Sequence, residues 1–354
     1  MYTQNAKKQF DLLKQKDNVK ILAIESSCDE TSIAIVENGR KILSNIIATQ
    51  IDIHKRFGGV VPEVASRNHL LAIKNVCKQS LEQANISFDD IDAIAVTYGA
   101  GLVGALMVGV SYAKALAYAL DKPLLAVSHI HGHIAGNYLS HQDLTPPFVC
   151  LMVSGGHTAL IKVDDYTKFT ILGTTLDDAV GECYDKVARI LDLGYPGGPK
   201  IDKLAKLGEK KYNFSKFSSL KDQLNFSFSG IKTAVINFVH NKQQKGEIID
   251  KENIACSFQE EVTDELSNKA IKACLSTNIN TLVCAGGVAA NSRLKEKISK
   301  LCQENNIKMY SPVLSLCTDN AAMIASAGYY NLKAGLGLAD LSLTAKSTLP
   351  ICNE

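Results

Sequence analysis

The chain has 354 residues, 46% of them apolar and 21% charged, and Lys plus Arg exceed Asp plus Glu by only two. One hydrophobic core stops growing at roughly 250–300 residues, so two lobes are expected. The near-neutral balance excludes a global basic field for holding nucleic acid and leaves that work to a local patch or a partner.

Residues 1–19 mix charged and amide side chains without the apolar run of a secretory signal and read as an appended tail. The core begins at Lys20, where ILAI runs into the polar turn ESSCDET and returns as SIAIV, a strand, turn, strand pattern. IDAIAV (91–96), the loop TYGAGLVGA, a long apolar helix to Leu120 and the short strand LLAV follow. Lys114 interrupts the apolar stretch, so no membrane span is expected there. From Phe148 the opening design returns, with FVCLMV, the turn SGGHT and ALIKV, so Ser26 and Ser154 occupy equivalent places in a duplicated hairpin. A helical stretch at 177–193, the turn GYPGGP, a polar region to about Lys251, another helix, the strand TLVCA and AGGVAAN complete the pattern. The fold class is therefore α/β with two facing lobes and a ligand cleft between them. The first lobe is set at 20–144 and the second at 145–354, with a helix near 321–335 packing back on the first.

Ten cysteines run from Cys28 to Cys352 without a CxxC pair, which points to reduced thiols and a cytoplasmic location. In each hairpin turn, glycine or small polar residues let backbone N–H groups approach an anion; a tight β-turn is the plainer role. AGGVAAN, opening a helix, offers a further anion site or simple helix packing. His129 and His133, in HIHGH, share one side of a helical turn and suit a transition metal. Such a pair wants an anionic third ligand. Asp319 offers one, or caps the helix that follows. Asp29 and Glu30 bind a cation, accept a proton or are merely solvated. Asp177, Asp178, Glu182 and Asp185 fall on one predicted helical segment, with Asp202 further on; these acids bind ribose hydroxyls or line a solvated face.

IESSCDETSIAI, GGVVPEVASRNH, GAGLVGAL, HIHGHI, LMVSGGHT, YDKVARILDLGYPGGPKID, FSFSGIKT, CAGGVAAN and CTDNAAMIA occur in that order between Ile24 and Ala325. Together they closely resemble the tRNA N6-adenosine threonylcarbamoyltransferase family, formerly described as O-sialoglycoprotein endopeptidase, in its bacterial type. The resemblance implies the duplicated fold of the actin, Hsp70 and sugar-kinase (ASKHA) superfamily. It implies transfer of L-threonylcarbamoyl from threonylcarbamoyl-AMP to N6 of adenosine 37 in tRNAs reading codons that begin with A. The family's metal ligands, for iron or zinc, fall on His129, His133 and Asp319. Its ligand-binding positions fall on Met152, Val153, Ser154, Gly155, Gly156, Asp185, Gly198, Asp202 and Asn291. Ala100 stands where the family commonly has proline, which predicts a looser loop, and His131 stands where bacterial relatives often carry glutamate, which predicts an extra or competing metal ligand.

The implied partners are tRNA, a synthase that supplies the adenylate, an inactive ASKHA paralogue and a small P-loop ATPase, with no membrane. Asp29 or Glu30 is the candidate acceptor for the proton lost by N6. Two other classes compete: a metal-dependent glycoprotein endopeptidase, and a non-catalytic nucleotide-binding subunit. Against the first, Ile130 occupies the place directly after His129 where a zincin carries its glutamate.

Overall fold

The computed structural model describes residues 2–214 and 223–352. They form two compact units. The first takes the chain as far as Pro146, Asp165–Lys168 and the chain from Pro312 onward; the second takes Pro147–Asp164 and Phe169–Ser311. The chain first passes from one unit to the other after Pro146, and the residues from Pro312 onward belong to the first unit.

The first unit carries α1 (Tyr2–Leu13), β1 (Lys20–Glu25), β2 (Glu30–Glu37), β3 (Lys41–Thr49), α2 (Ile51–His54), α3 (Pro62–Ala84), β4 (Ala93–Gly99), α4 (Val103–Ala119), β5 (Leu124–Ser128) and α5 (His129–Ser140). The second carries β6 (Phe148–Val153), β7 (Thr158–Asp165), β8 (Lys168–Thr174), α6 (Val180–Ile190), α7 (Gly197–Ala205), α8 (Ser229–Gln244), α9 (Lys251–Thr277), β9 (Thr281–Ala285), α10 (Ser292–Glu304) and β10 (Lys308–Tyr310). α11 (Ala321–Lys333) and β11 (Leu338–Ala339) return to the first.

The two sheets repeat one plan. Their orders are β11-β5-β4-β1-β2-β3 and β10-β9-β6-β7-β8. In each, an antiparallel hairpin is followed outward by two strands laid parallel to its first member. β1 and β6 are buried over almost their whole length, as strands covered on both faces must be. On β1 and β4, Ile24 and Val96 pack with Ile73 and Val76 of α3 and Val110 and Ala113 of α4. α11 covers the other face, where a side chain at Gly328 would meet the Ala95 Cβ at 3.1 Å. In the second unit Tyr184 of α6 meets Phe258 of α9 edge to face, with ring centroids 5.0 Å apart. Among the described residues no helix is long and apolar enough to cross a membrane.

Three expectations change. Residues 2–13 are a packed helix, not a trailing tail: Tyr2, Ala6, Phe10 and Leu13 make a buried stripe at helical spacing, and the Tyr2 hydroxyl donates to the Lys122 carbonyl at 2.9 Å. Lys333 Nζ closes the helix by donating to the Leu13 and Lys14 carbonyls. The loop at Ala100 is held down, because Lys346 N donates to the Tyr98 carbonyl at 2.7 Å and Gly101 N donates to the Ser347 carbonyl at 3.1 Å. Finally, Asp177 and Asp178 precede α6 instead of lying on it: Asp177 accepts from the backbone N–H groups of Phe228 and Ser229 at the start of α8, and Asp178 pairs with Lys232.

Candidate functional site

The end of β5 flows directly into α5, and α5 starts on His129. One helical turn separates His129 from His133, so both rings project from the same side, edge to face with centroids 4.6 Å apart. The third group comes from the loop before α11. There the cap of α11 is Asn320, not Asp319: the Asn320 side chain accepts from Met323 N at 3.1 Å. Asp319 Oδ1 lies 3.5 Å from His129 Nε2 and 3.2 Å from His133 Nε2. All three candidate donor atoms fall within 4.8 Å of one another.

These residues fit a cation. Metal–nitrogen and metal–oxygen bonds of roughly 2.0–2.2 Å place tetrahedral ligand atoms about 3.4 Å apart, close to the two separations here. His133 is buried, yet neither of its ring nitrogens makes a hydrogen bond among the described residues. A buried polar nitrogen facing a carboxylate oxygen outside hydrogen-bonding geometry is the arrangement that a shared cation satisfies. His131 is not part of it. Its ring turns away and Nε2 donates to the Ile351 carbonyl at 2.7 Å. Burial holds this imidazole below its ordinary pKa, so it stays neutral, and the expectation of a third imidazole ligand is not met.

Sequence reasoning missed Glu25. It ends β1, is fully buried, and its Oε2 lies 3.2 Å from His129 Nδ1. Burial alone would raise this carboxyl; the His129 ring and the Ser27 hydrogen bond hold it below the usual carboxylate range. Burial would likewise lower the His129 pKa, but Asp319 and Glu25 push it up to about 9. The one signal for Glu25 in the sequence was an acid closing an otherwise apolar strand.

The turn between β1 and β2 is stiffened by His69, whose Nε2 donates to the Cys28 carbonyl at 3.0 Å and whose Nδ1 accepts from Thr31 Oγ1 at 2.7 Å. Asp29 is buried within that turn. Burial, reinforced by Asp319 and by a hydrogen bond with Asp29, pushes the Glu30 carboxyl up to about 10. In the metal-free chain Glu30 therefore holds a proton at neutral pH. A stability effect follows. Below about 4.5, the ordinary value, Glu30 is protonated in both folded and unfolded chains; between there and about 10 only the unfolded chain ionises, so stability drains away as pH rises. Metal-free Glu30→Gln, which cannot ionise, is expected to melt above the wild type at pH 8, with the gap closing at pH 4; thermal scans at both values check this.

The second unit gathers the other predicted positions. Met152 and Val153 are wholly buried in β6 and offer only backbone. Ser154 begins the turn: its N donates to the His157 carbonyl at 2.8 Å and its Oγ accepts from His157 N at 3.1 Å. The N-terminus of α6 seats against this turn, since a side chain at Gly181 would stand 2.7 Å from the Ser154 carbonyl oxygen. Gly286 does the same from β9, with φ +90° and 2.4 Å from its would-be Cβ to the Val153 carbonyl oxygen. Gly155, Gly156, Gly198 and Gly287 have open space over their backbones. Asp185 Oδ1 accepts from Gly197 N at 2.7 Å, which fixes the start of α7. Asp202 accepts from Ser292 Oγ at 2.9 Å, tying α7 to α10. Asn291 caps α10 through Leu294 N at 2.9 Å and donates from Nδ2 to Gln259 Oε1 at 2.8 Å. Hydrogen bonds and close packing thus link the hairpin turn, the α6–α7 segment and the Asn291 loop at one end of the sheet. The acids act there first as struts.

A duplicated sheet with glycine-rich turns in one unit and a His-His-Asp cluster in the other defines an α/β protein of the ASKHA fold with a candidate metal site. Solved structures agree on the fold. Full-length HypF in its phosphate- and nucleotide-bound form matches with a TM-score of 0.60 at 14% identity over 89% of this chain and 46% of that one. Component A of the (R)-2-hydroxyglutaryl-CoA dehydratase of Acidaminococcus fermentans matches with a TM-score of 0.53 at 15% identity, over 89% of this chain and 98% of that one. A sequence model of the family described as tRNA N6-adenosine threonylcarbamoyltransferase matches residues 41–326. A protein of that name from Clostridium perfringens (strain 13) is 56% identical over 334 residues, 94% of this chain and 98% of the relative. Another, from Clostridium botulinum (strain Langeland), is 55% identical over 321 residues, 90% and 94% respectively. The chain belongs to the tRNA N6-adenosine threonylcarbamoyltransferase family.

Proposed function

We propose that this enzyme transfers the L-threonylcarbamoyl group of threonylcarbamoyl-AMP to N6 of adenosine 37 in tRNAs that read codons beginning with A. Family membership at 55–57% identity supports the reaction. The observation that carries the site is the meeting of His129, His133 and Asp319 around one small volume.

His129, His133 and Asp319 would hold one divalent metal, iron or zinc, since two imidazoles and a carboxylate suit either. A metal bound there would supply Lewis acidity toward the carbonyl of the threonylcarbamoyl group. The remaining work falls to the chain itself. Backbone from Met152 to Gly156 cradles the phosphate, aided by the open space over Gly155 and Gly156. Asp185, Gly198, Asp202 and Asn291 hold the adenosine, with the two acids rigid because each already has a backbone or hydroxyl donor in place. Positioning lowers the barrier by converting an encounter into an aligned attack. AMP is a competent leaving group. Asp29 or Glu30, side by side in the turn after β1, receives the proton that N6 gives up.

The reaction draws on a synthase for the adenylate and takes place in the cytoplasm, with an inactive paralogue of the same fold and a small P-loop ATPase as complex partners. With only two surplus positive charges on the chain, tRNA contacts are shared with those partners. Mass spectrometry of nucleosides tests the proposal: tRNA incubated with this protein, its partners, threonine, bicarbonate and ATP yields threonylcarbamoyladenosine. Its absence, with a partner set proven competent on a relative, overturns the assignment.

A further inference from the structure

A carboxylate removed from water costs several kcal/mol unless its oxygens are fully engaged. Glu25 is wholly buried at the end of β1, and three groups converge on it. Ser27 N donates to Oε1 at 2.5 Å. Thr97 Oγ1 donates to Oε2 at 2.5 Å, and His129 Nδ1 lies 3.2 Å from the same oxygen. Ser27 Oγ is also 3.1 Å from His129 Nδ1, but a hydroxyl can donate or accept and so does not dictate which ring nitrogen carries the proton. An ionised carboxylate only accepts. It holds a proton on Nδ1, so the proton that a metal displaces is the one on Nε2, the nitrogen 3.5 Å from Asp319.

We infer that Glu25 is the positioning residue of the metal centre, fixing the tautomer and aim of His129 so that Nε2 is the ligating nitrogen. This rests on the metal reading above and adds to it a residue that does not touch the metal. Histidine ligands are oriented through their second nitrogen in this way, and removing the acceptor weakens metal binding by about 10- to 100-fold.

The isosteric variant Glu25→Gln separates positioning from packing. Ser27 N needs an acceptor, so the amide oxygen takes that side and the NH2 faces Thr97 and His129. Thr97 can turn its hydroxyl to accept. His129 must then accept at Nδ1 and carry its proton on Nε2, where the cation should be. Titration of metal-free protein with Co2+ against a competing chelator is expected to show about 10- to 100-fold weaker binding for E25Q than for the wild type, with the metal-free melting temperatures of the two close together. Equal Co2+ affinity in E25Q and wild type overturns the role of Glu25. A wild-type chain that binds no Co2+ overturns the metal reading itself, and with it this inference. Should E25Q fail to fold, the wild type decides alone: in the Zn2+-loaded protein, histidine 15N NMR is expected to place the His129 proton on Nδ1, and a bare Nδ1 overturns the assignment.

Discussion

His133→Ala is expected to abolish stoichiometric metal binding and slow single-turnover transfer roughly a hundredfold or more, the loss anticipated when several kcal/mol of carbonyl polarisation disappear. The fold should survive, because the ring makes no hydrogen bond among the described residues and its loss leaves no partner stranded. Elemental analysis reads the first effect and a rapid-quench assay with preformed adenylate reads the second. Stability offers a third measure. A ligand that binds only the native state raises the melting temperature by mass action, so added Zn2+ should stabilise the wild type and leave the variant where it was. A variant that keeps one metal per chain and transfers at the wild-type rate would remove His133 from the site.

Gly286→Ala should do comparable damage by a steric route. At φ +90°, ψ 166° the backbone is in a region that only glycine occupies freely, and an added methyl would stand 2.4 Å from the Val153 carbonyl oxygen and 3.2 Å from the Ser154 Cβ. Backbone strain of about 1–3 kcal/mol adds to the displacement of the turn. The expected result is a lower melting temperature together with at least a tenfold weaker affinity for an adenylate analogue, while the Co2+ affinity of the first unit is unchanged. Calorimetry and Co2+ titration on the same preparation separate the two. Unaltered nucleotide affinity in a destabilised chain would show that the 154–156 turn does not hold the phosphate.

Local pattern accounts for what could be read from the residues alone. The two hairpins were visible because each sets a short polar turn between two apolar runs, and the histidine pair because its spacing equals a helical turn. Long-range placement was not visible. No periodicity relates Asp319 to α5; the family resemblance brought them together, and the fold does so by returning α11 to the first sheet. Asp319 and Asn320 are both good capping types, so which of them caps α11 depends on backbone geometry that composition does not carry. Glu25 looked like the polar end of a strand, and only its partners Thr97 and His129, far along the chain, give it a purpose. The stripe on α1 was hidden by the lysines and glutamines interleaved with it. Asp178 sits one helical turn before Glu182, yet its carboxylate and that of Asp177 find donors at the start of α8 instead.

The bond from His131 to the Ile351 carbonyl ties a segment 220 positions along the chain to the residue midway between His129 and His133. Losing that carbonyl would remove one hydrogen bond from a buried ring, at a cost of about 0.5–1.5 kcal/mol. The integrity of the segment around Ile351 thus bears on the packing of the helix that carries the candidate metal site.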